Sequence, residues 1–306
     1  MGEIKELSPE EFRQMQLLQL DMLVELDRVC RENNINYTIF GGTLLGAVRH
    51  KGYIPWDDDA DVAMLREDYD KFKKITDQLN SEICYFQDHD TDPEYRWGYG
   101  KLRRTGTTYV RVGQEHLKCK TGVFIDVFPM DDIPHSTIGQ MLNDFYCFCL
   151  RKILWSEVGK YSTSEDGIHR LYYKIVSHIS PSWVFKRVEK IAEKSRNSST
   201  NRVRTLLFPA TGKLYRKREN SLKTRYGMPK EWFLDLQEYE FEGKKLMGTR
   251  DYDTILKYIY NDYMKLPPED KRDPHAPVSS YIFWIKEKNI DKKMLRGRYR
   301  ISERYN

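Results

Sequence analysis

The chain places a glycine pair ahead of a dense group of acids: Gly41-Gly42-Thr43 is followed at short range by Asp57-Asp58-Asp59-Ala60-Asp61. Four carboxylates within five residues repel one another, and a folded chain keeps such a group where solvent disperses the charge or a cation neutralises it. The run passes directly into Val62-Ala63-Met64-Leu65, and that apolar setting favours the cation. Along an extended segment alternate side chains project the same way, so Asp57, Asp59 and Asp61 line one side while Asp58 points away and suits a turn cap. Asp59 and Asp61, spaced Asp-x-Asp, are the leading ligands for Mg²⁺, with its preference for oxygen and retained water, or for Mn²⁺ as second choice. A calcium loop is a rival pattern, but its glycine and distal glutamate are missing.

A further acid, Asp126, stands inside the apolar run Phe124-Ile125-Asp126-Val127-Phe128. Uncompensated polar burial costs roughly 2–7 kcal/mol, so this carboxylate needs a partner, either a metal ion or a Lys or Arg. For phosphate, the paired glycines let the backbone approach an anion, and the amides of Gly42 and Thr43 at a helix start would point at it. Lys101 and Arg103, two apart on a strand, face one way and Arg104 the other. Such a pair suits a pyrophosphate or, equally, a plain ion pair with the aspartates. Arg49 is a candidate ligand contact, whereas His50 beside it reads as structural.

Elements that would hold these groups are legible in the pattern. Ser8-Pro9-Glu10-Glu11 opens a helix over 9–33 with Leu17, Leu20, Leu23 and Val24 at helical spacing. Residues 35–40 read as a strand ending at Gly41-Gly42, Thr43–Arg49 as a short helix, and 59–65 as the carboxylate strand. A helix over 69–79 follows, then strands at 85–86, 97–101, 107–110 and 123–128, the last stopping at Pro129. The expected class is α/β (α+β), a mixed sheet flanked by helices with an appended helical region at 138–154 and 169–195. Three parts are expected: a core over 1–133, a helical basic insertion over 134–225, and a C-terminal part over 226–306 packing on the core.

Gly41 to Leu65, together with Thr121-Gly122-Val123-Phe124-Ile125-Asp126-Val127-Phe128-Pro129, resembles the LicD family of phosphotransferases, related to fukutin and to the nucleotidyltransferase superfamily of DNA polymerase beta. Gly100-Lys101-Leu102-Arg103, Glu240-Phe241-Glu242-Gly243-Lys244 and Tyr260-Asn261-Asp262-Tyr263 resemble further family segments, with Asn261 at an expected glycine. Asparagine tolerates left-handed backbone, so this departure is mild. The resemblance implies a nucleotidyltransferase-like sheet and a third acid, Asp126, set opposite Asp59 and Asp61 to bind metal and help deprotonate an acceptor hydroxyl. It also implies Gly41, Gly42, Thr43, Arg49, Lys101 and Arg103 as substrate contacts. The reaction it implies carries phosphocholine from CDP-choline to a hydroxyl of a cell-surface glycan precursor, such as lipopolysaccharide or teichoic acid, and releases CMP. A ribitol or glycerol phosphate donor and a pyrophosphate-releasing nucleotidyltransferase are the alternatives. Choline would need aromatic faces, for which Tyr53, Trp56 and Trp97 are nearest in sequence.

With 306 residues, 40% of them hydrophobic, the chain can bury a substantial core. Its net charge is +5, yet Trp183 to Arg225 alone holds 13 Lys or Arg against 3 Glu. Lys186, Arg187, Lys190 and Lys194 would share one helix side, opposite Val184, Val188 and Ile191, an arrangement that suits either an anionic membrane leaflet or a solvated face over a core. No nucleic-acid motif accompanies this charge, and nucleic acid is not an expected partner. Five scattered cysteines make no disulfide framework and suit a reducing cytoplasm. The charged start Met1-Gly2-Glu3-Ile4-Lys5-Glu6 lacks the pattern of a signal peptide, so a cytoplasmic location, peripheral at the inner membrane face, is expected.

Overall fold

The computed structural model describes residues 3–161, 167–196, 200–208, 227–274 and 277–283. The first helix, α1 (Pro9–Glu32), starts on a capping box in which Ser8 and Glu11 satisfy each other's backbone amides. Next come β1 (Thr38–Ile39), α2 (Gly41–His50), β2 (Asp61–Leu65) and α3 (Arg66–Lys74). Strands β3 (Cys84–Gln87), β4 (Gly100–Arg104), β5 (Thr108–Arg111) and β6 (Phe124–Asp132) follow. The helical region comprises α4 (Thr137–Gly159), α5 (Gly167–Val176) and α6 (Pro181–Arg196). Strands β7 (Arg202–Arg204), β8 (Met228–Pro229), β9 (Leu236–Phe241) and β10 (Lys244–Thr249), helix α7 (Tyr252–Tyr260) and β11 (Val278–Ile282) complete the described chain.

The sheet is mixed, in the order β3-β4-β6-β2-β1-β10-β9, with β7 and β8 continuing from the far end of β6 and a separate β5-β11 pair. Strand β2 runs parallel to β6 in the register Asp61 to Asp126, while β4 runs antiparallel to β6 in the register Lys101 to Asp126. Asp61, Asp126 and Lys101 therefore form one row across three adjacent strands. The C-terminal hairpin β9-β10 turns through Glu242 (φ 53°) and Gly243 (φ 72°), the paired positive φ of a tight hairpin turn, and β10 lies parallel to β1.

Several boundaries differ from the sequence reading. The strand expected over 35–40 shrinks to Thr38–Ile39, and the carboxylate strand begins at Asp61 rather than Asp59. Pro129 does not end β6, because pairing with β4 stops at Val127 and leaves that side of the strand without a ladder for proline to interrupt. The helix expected over 169–195 breaks at Ser177–Ser180, where Pro181 starts α6 afresh. The basic run beyond Phe208 up to Tyr226, and the tail Lys292 to Arg304, lie outside the described residues.

The main core gathers the inner faces of α1, α2 and α3 with the sheet, and Leu23, Leu26, Ile39, Leu44, Val62 and Ile125 are fully buried in it. A second, smaller cluster joins α4 to α6 through Cys147, Leu150, Leu154, Val184 and Val188. Arg66 forks onto Asp131 (2.6 and 2.8 Å) and ties α3 to the end of β6. At Gly46, in α2, a methyl group would collide with the backbone carbonyl of Gly52, because the loop that leads to the acids folds back against this turn of helix. Gly46→Ala is expected to destabilise the protein by about 1–3 kcal/mol, read as a lowered Tm; an unchanged Tm would show that this close approach does not hold the loop.

Candidate active site

Helix α1 sets the acidic loop in place. Two glutamines on its buried side donate from their amides to loop carbonyls, Gln16 to Ile54 (3.3 Å) and Asp57 (3.1 Å), Gln19 to Asp58 (2.9 Å). Held this way, residues 57–60 form no strand, and Asp58 does not point off alone as alternation predicts. Oxygens of Asp57, Asp58 and Asp59 all lie within 4.8 Å of one another. Asp57 and Asp58 are buried, at 4% and 1% exposure.

Asp61, at the start of β2, and Asp126 stand outside this 4.8 Å group, so the closest-set carboxylates are Asp57, Asp58 and Asp59 rather than the expected Asp59, Asp61 and Asp126. The Asp61 backbone amide donates to Thr43 Oγ1 at 2.8 Å. Burial pushes the Asp61 carboxyl well above the usual carboxylate range, the charges of Asp59, Asp126 and Asp57 push it further, and Lys101 opposes them. Asp126 stands beside Asp61 in register and pairs with the Lys101 ammonium, both side chains being buried. Lys101 thus supplies the cationic partner that a carboxylate inside an apolar strand requires. Burial pulls the Lys101 ammonium down to about 8 even so, with Asp126 resisting the shift and Arg103 and Arg111 adding to it.

The start of α2 meets the chain's own carboxylates, a departure from the open anion cradle expected there. Gly41 takes φ +55°, and a methyl on it would lie 3.1 Å from Asp61 Oδ2; a methyl on Gly42 would strike the Asp57 carboxylate. The Thr43 amide, expected to face phosphate, donates to the Phe40 carbonyl at 3.1 Å. Negative groups at a helix N-terminus are favourable, so the glycine pair brings helix and acids together. Arg49 lies eight residues along α2, about 12 Å of rise from Gly41, and its guanidinium donates to the Tyr263 carbonyl at 2.7 Å. It fastens the segment after α7, where Asn261 does take positive φ (62°). His50 is held neutral well below its usual range, at about 4, by burial and by Arg49.

Arg103 donates to Gln87 (2.6 Å) and to the Gly122 carbonyl (2.9 Å). It shares with Lys101 the face over Phe124, their charged groups 5.0 and 3.5 Å from the ring centre, while Arg104 turns to the other side toward Asp21 of α1. A third cation joins them. Arg111 of β5 also stands 5.0 Å from the Phe124 ring, and its Nη2 lies 3.8 Å from Asp58 and 3.7 Å from Asp59. Burial alone would lower its pKa, but Asp58, Asp59 and Asp126 outweigh that and hold it above the ordinary value. These three cations with Tyr99, Tyr109 and Phe124 line a cavity beside the acids. Its neighbour, lined by Trp97, Tyr99, Arg151, Trp155 and Phe208, reaches α4.

Sequence reading missed Arg111, Gln16, Gln19 and Tyr260, whose hydroxyl lies 3.7 Å from where a Gly41 methyl would stand. Two glutamines three apart on an apolar helix face were the available signal for the pair on α1; nothing near Arg111 distinguished it from an exposed strand arginine. Of the aromatic residues considered, Tyr53 is spent in the core against Phe241 and Trp56 packs against His50 under Arg272, whereas Trp97 lines both cavities.

Comparison with known proteins bears on this constellation. Residues 34–149, which carry β1, α2, the acids and β6, match the family described as LicD/FKTN/FKRP, nucleotidyltransferase domain. The lipopolysaccharide cholinephosphotransferase LicD of Haemophilus influenzae is 29% identical over 279 residues, 88% of this chain and 97% of its own length. Residues 34–149 therefore form a LicD-type nucleotidyltransferase domain. The mixed sheet flanked by helices agrees with a nucleotidyltransferase-like fold. An uncharacterised protein of Rickettsia typhi is 32% identical over 145 residues, 47% of this chain and 40% of that protein, and one of Rickettsia prowazekii is 27% identical over 153 residues, 49% and 52%.

The matched domain thus carries an oxygen-only donor group beside a cationic cavity, and a hard divalent cation fits such donors. Burial and the neighbouring acids disfavour the charged form of Asp61. Asp61→Asn removes a repelled buried charge and is expected to raise Tm; a lowered Tm would mean that the carboxylate is held by partners rather than opposed by neighbours. Lys101→Met leaves Asp126 buried and unpaired and is expected to cost about 3–5 kcal/mol by chemical denaturation, most of which returns in the double variant with Asp126→Leu.

Proposed function

We propose that this phosphotransferase moves phosphocholine from CDP-choline to a hydroxyl of a cell-surface glycan precursor, with release of CMP. The observation that carries the reading is the gathering of Asp57, Asp58 and Asp59 against Arg111, next to Asp61 and the Asp126–Lys101 pair, with Arg111 and Lys101 lining one cavity. Phosphoryl transfer asks a protein chiefly to align the reacting oxygens and offset negative charge. Asp59 and Asp61, with Asp57 next to them, would hold Mg²⁺ or Mn²⁺, which when bound supplies neutralisation of the pyrophosphate and of the developing charge. Arg111 and Lys101 reach the pyrophosphate from the cavity side, and Arg103 braces the strand that presents Lys101. The acceptor hydroxyl oxygen forms a bond to the distal phosphorus while the bond from that phosphorus to the CMP oxygen breaks. CMP leaves with the electron pair, and the hydroxyl proton passes to the Asp126 carboxylate.

The name of the Haemophilus relative supports phosphocholine and a lipopolysaccharide acceptor. A polyol phosphate donor is the second reading, because the aromatic cavity at Trp97 also holds Arg96 and Arg151, cations that repel a quaternary ammonium and suit hydroxyl groups. The acceptor precursor would be met at a peripheral contact with the inner membrane face.

Purified protein with Mg²⁺ and CDP-choline, CDP-ribitol or CDP-glycerol is expected to release CMP, faster with a glycan acceptor present. Asp59→Asn is expected to lose at least about 100-fold, since even residues that only orient metal ligands cost 10–100-fold. Pyrophosphate release from a nucleoside triphosphate, with every CDP donor inert, would replace this reading by nucleotidyl transfer.

A further inference from the structure

The helical region turns apolar side chains outward. In α5, Ile168, Leu171, Tyr172 and Ile175 are 81%, 59%, 43% and 63% exposed, and their three- and four-residue intervals make one stripe. Tyr173 is the one buried residue of this helix, packed against Gly159 of α4 and joined at its hydroxyl to Lys152. The start of α4 behaves alike, with Ile138, Leu142 and Phe145 each at least 60% exposed. A helix on an ordinary domain buries its stripe, and contiguous exposed apolar surface marks an interaction site.

The charge around the stripe selects the occupant. Helix α5 contains Arg170 and Lys174 and no Asp or Glu. Helix α6, which packs on α4, exposes four cations, Lys186, Arg187, Lys190 and Lys194, against two acids, Glu189 and Glu193, and its apolar side is already taken, since Val184 and Val188 are buried against α4. The helix whose sequence suggested a membrane face therefore contributes only charge, and the apolar surface comes from its neighbours. An apolar stripe on a helix whose own charged residues are all cations matches the in-plane helices that bind anionic bilayers. Ten residues are too few to cross one.

We propose that α5, with the first turns of α4, docks on an anionic membrane surface, its stripe entering the boundary between headgroups and acyl chains while Arg170 and Lys174 meet lipid phosphates. Helix α4 also lines the aromatic cavity through Arg151, Leu154 and Trp155, so the helix that rests on the bilayer walls the space that adjoins the cationic cavity at Trp97 and Tyr99. This deepens the membrane contact in the proposed function and rests on that reading for what the bilayer delivers. Vesicle binding requires no transfer chemistry, so the two ideas fail separately.

Co-sedimentation of the full chain with vesicles of phosphatidylglycerol and phosphatidylcholine, against phosphatidylcholine alone, tests it. The wild type is expected to pellet with the anionic vesicles and less at high salt. Leu171→Glu/Ile175→Glu is expected to weaken binding about tenfold or more, with Tm and CMP release from soluble substrates unchanged. Arg170→Glu/Lys174→Glu, which leaves the stripe intact, is expected to do the same through charge and decides the matter if the first variant misfolds. Wild type left in the supernatant, or variants that pellet undiminished, would overturn the proposal. So would a dimer in solution that Leu171→Glu/Ile175→Glu dissociates, because a second copy would then cover the stripe.

Discussion

The molecule is organised around one costly row of charge. Lys101, Asp126 and Asp61 sit side by side on β4, β6 and β2, adjacent strands of the sheet, the first two buried and Asp61 partly so. One cation answers two acids within that row, and three further acids crowd its end. Burial of unbalanced charge opposes folding, so the surrounding architecture must recover the cost. It does so by hydrogen-bonding the backbone of the acidic loop through Gln16 and Gln19, by setting the loop against the positive end of α2, and by closing the far side with Arg111.

These supports come from distant parts of the chain. Helix α1 supplies the glutamines, β5 the arginine, and the segment after α7 grips α2 through Arg49. The hairpin β9-β10 extends the sheet beside β1, the strand that leads into the glycine pair. The site thus draws on the chain from α1 to the segment after α7, and Arg49 joins α2 to that last segment.

The helical region follows a different logic. Its core is small, and its longest apolar stripes face outward, so its stability leans on α4 and α6 meeting through Leu150, Leu154, Val184 and Val188. Because α4 also walls the cavity at Trp97, the surface character of this region and the shape of the site are coupled through a single helix.

Local pattern alone was enough for the capped helix at Pro9, the glycine pair leading into α2, the apolar strand around Asp126 and the outward turn of Arg104, because capping and alternation act over a few residues. The acidic cluster was legible for the same reason: charge density needs no fold to be recognised. Tertiary structure decided what each charge meets. That Lys101 answers Asp126, that Asp58 turns in toward Asp57 and Asp59, that Arg111 arrives from β5 and that the Thr43 amide is spent on Phe40 all depend on strand register and on contacts between residues far apart in sequence. So does the outward face of α5: its stripe is plain in the sequence, but only packing determines whether a stripe meets the core or the solvent.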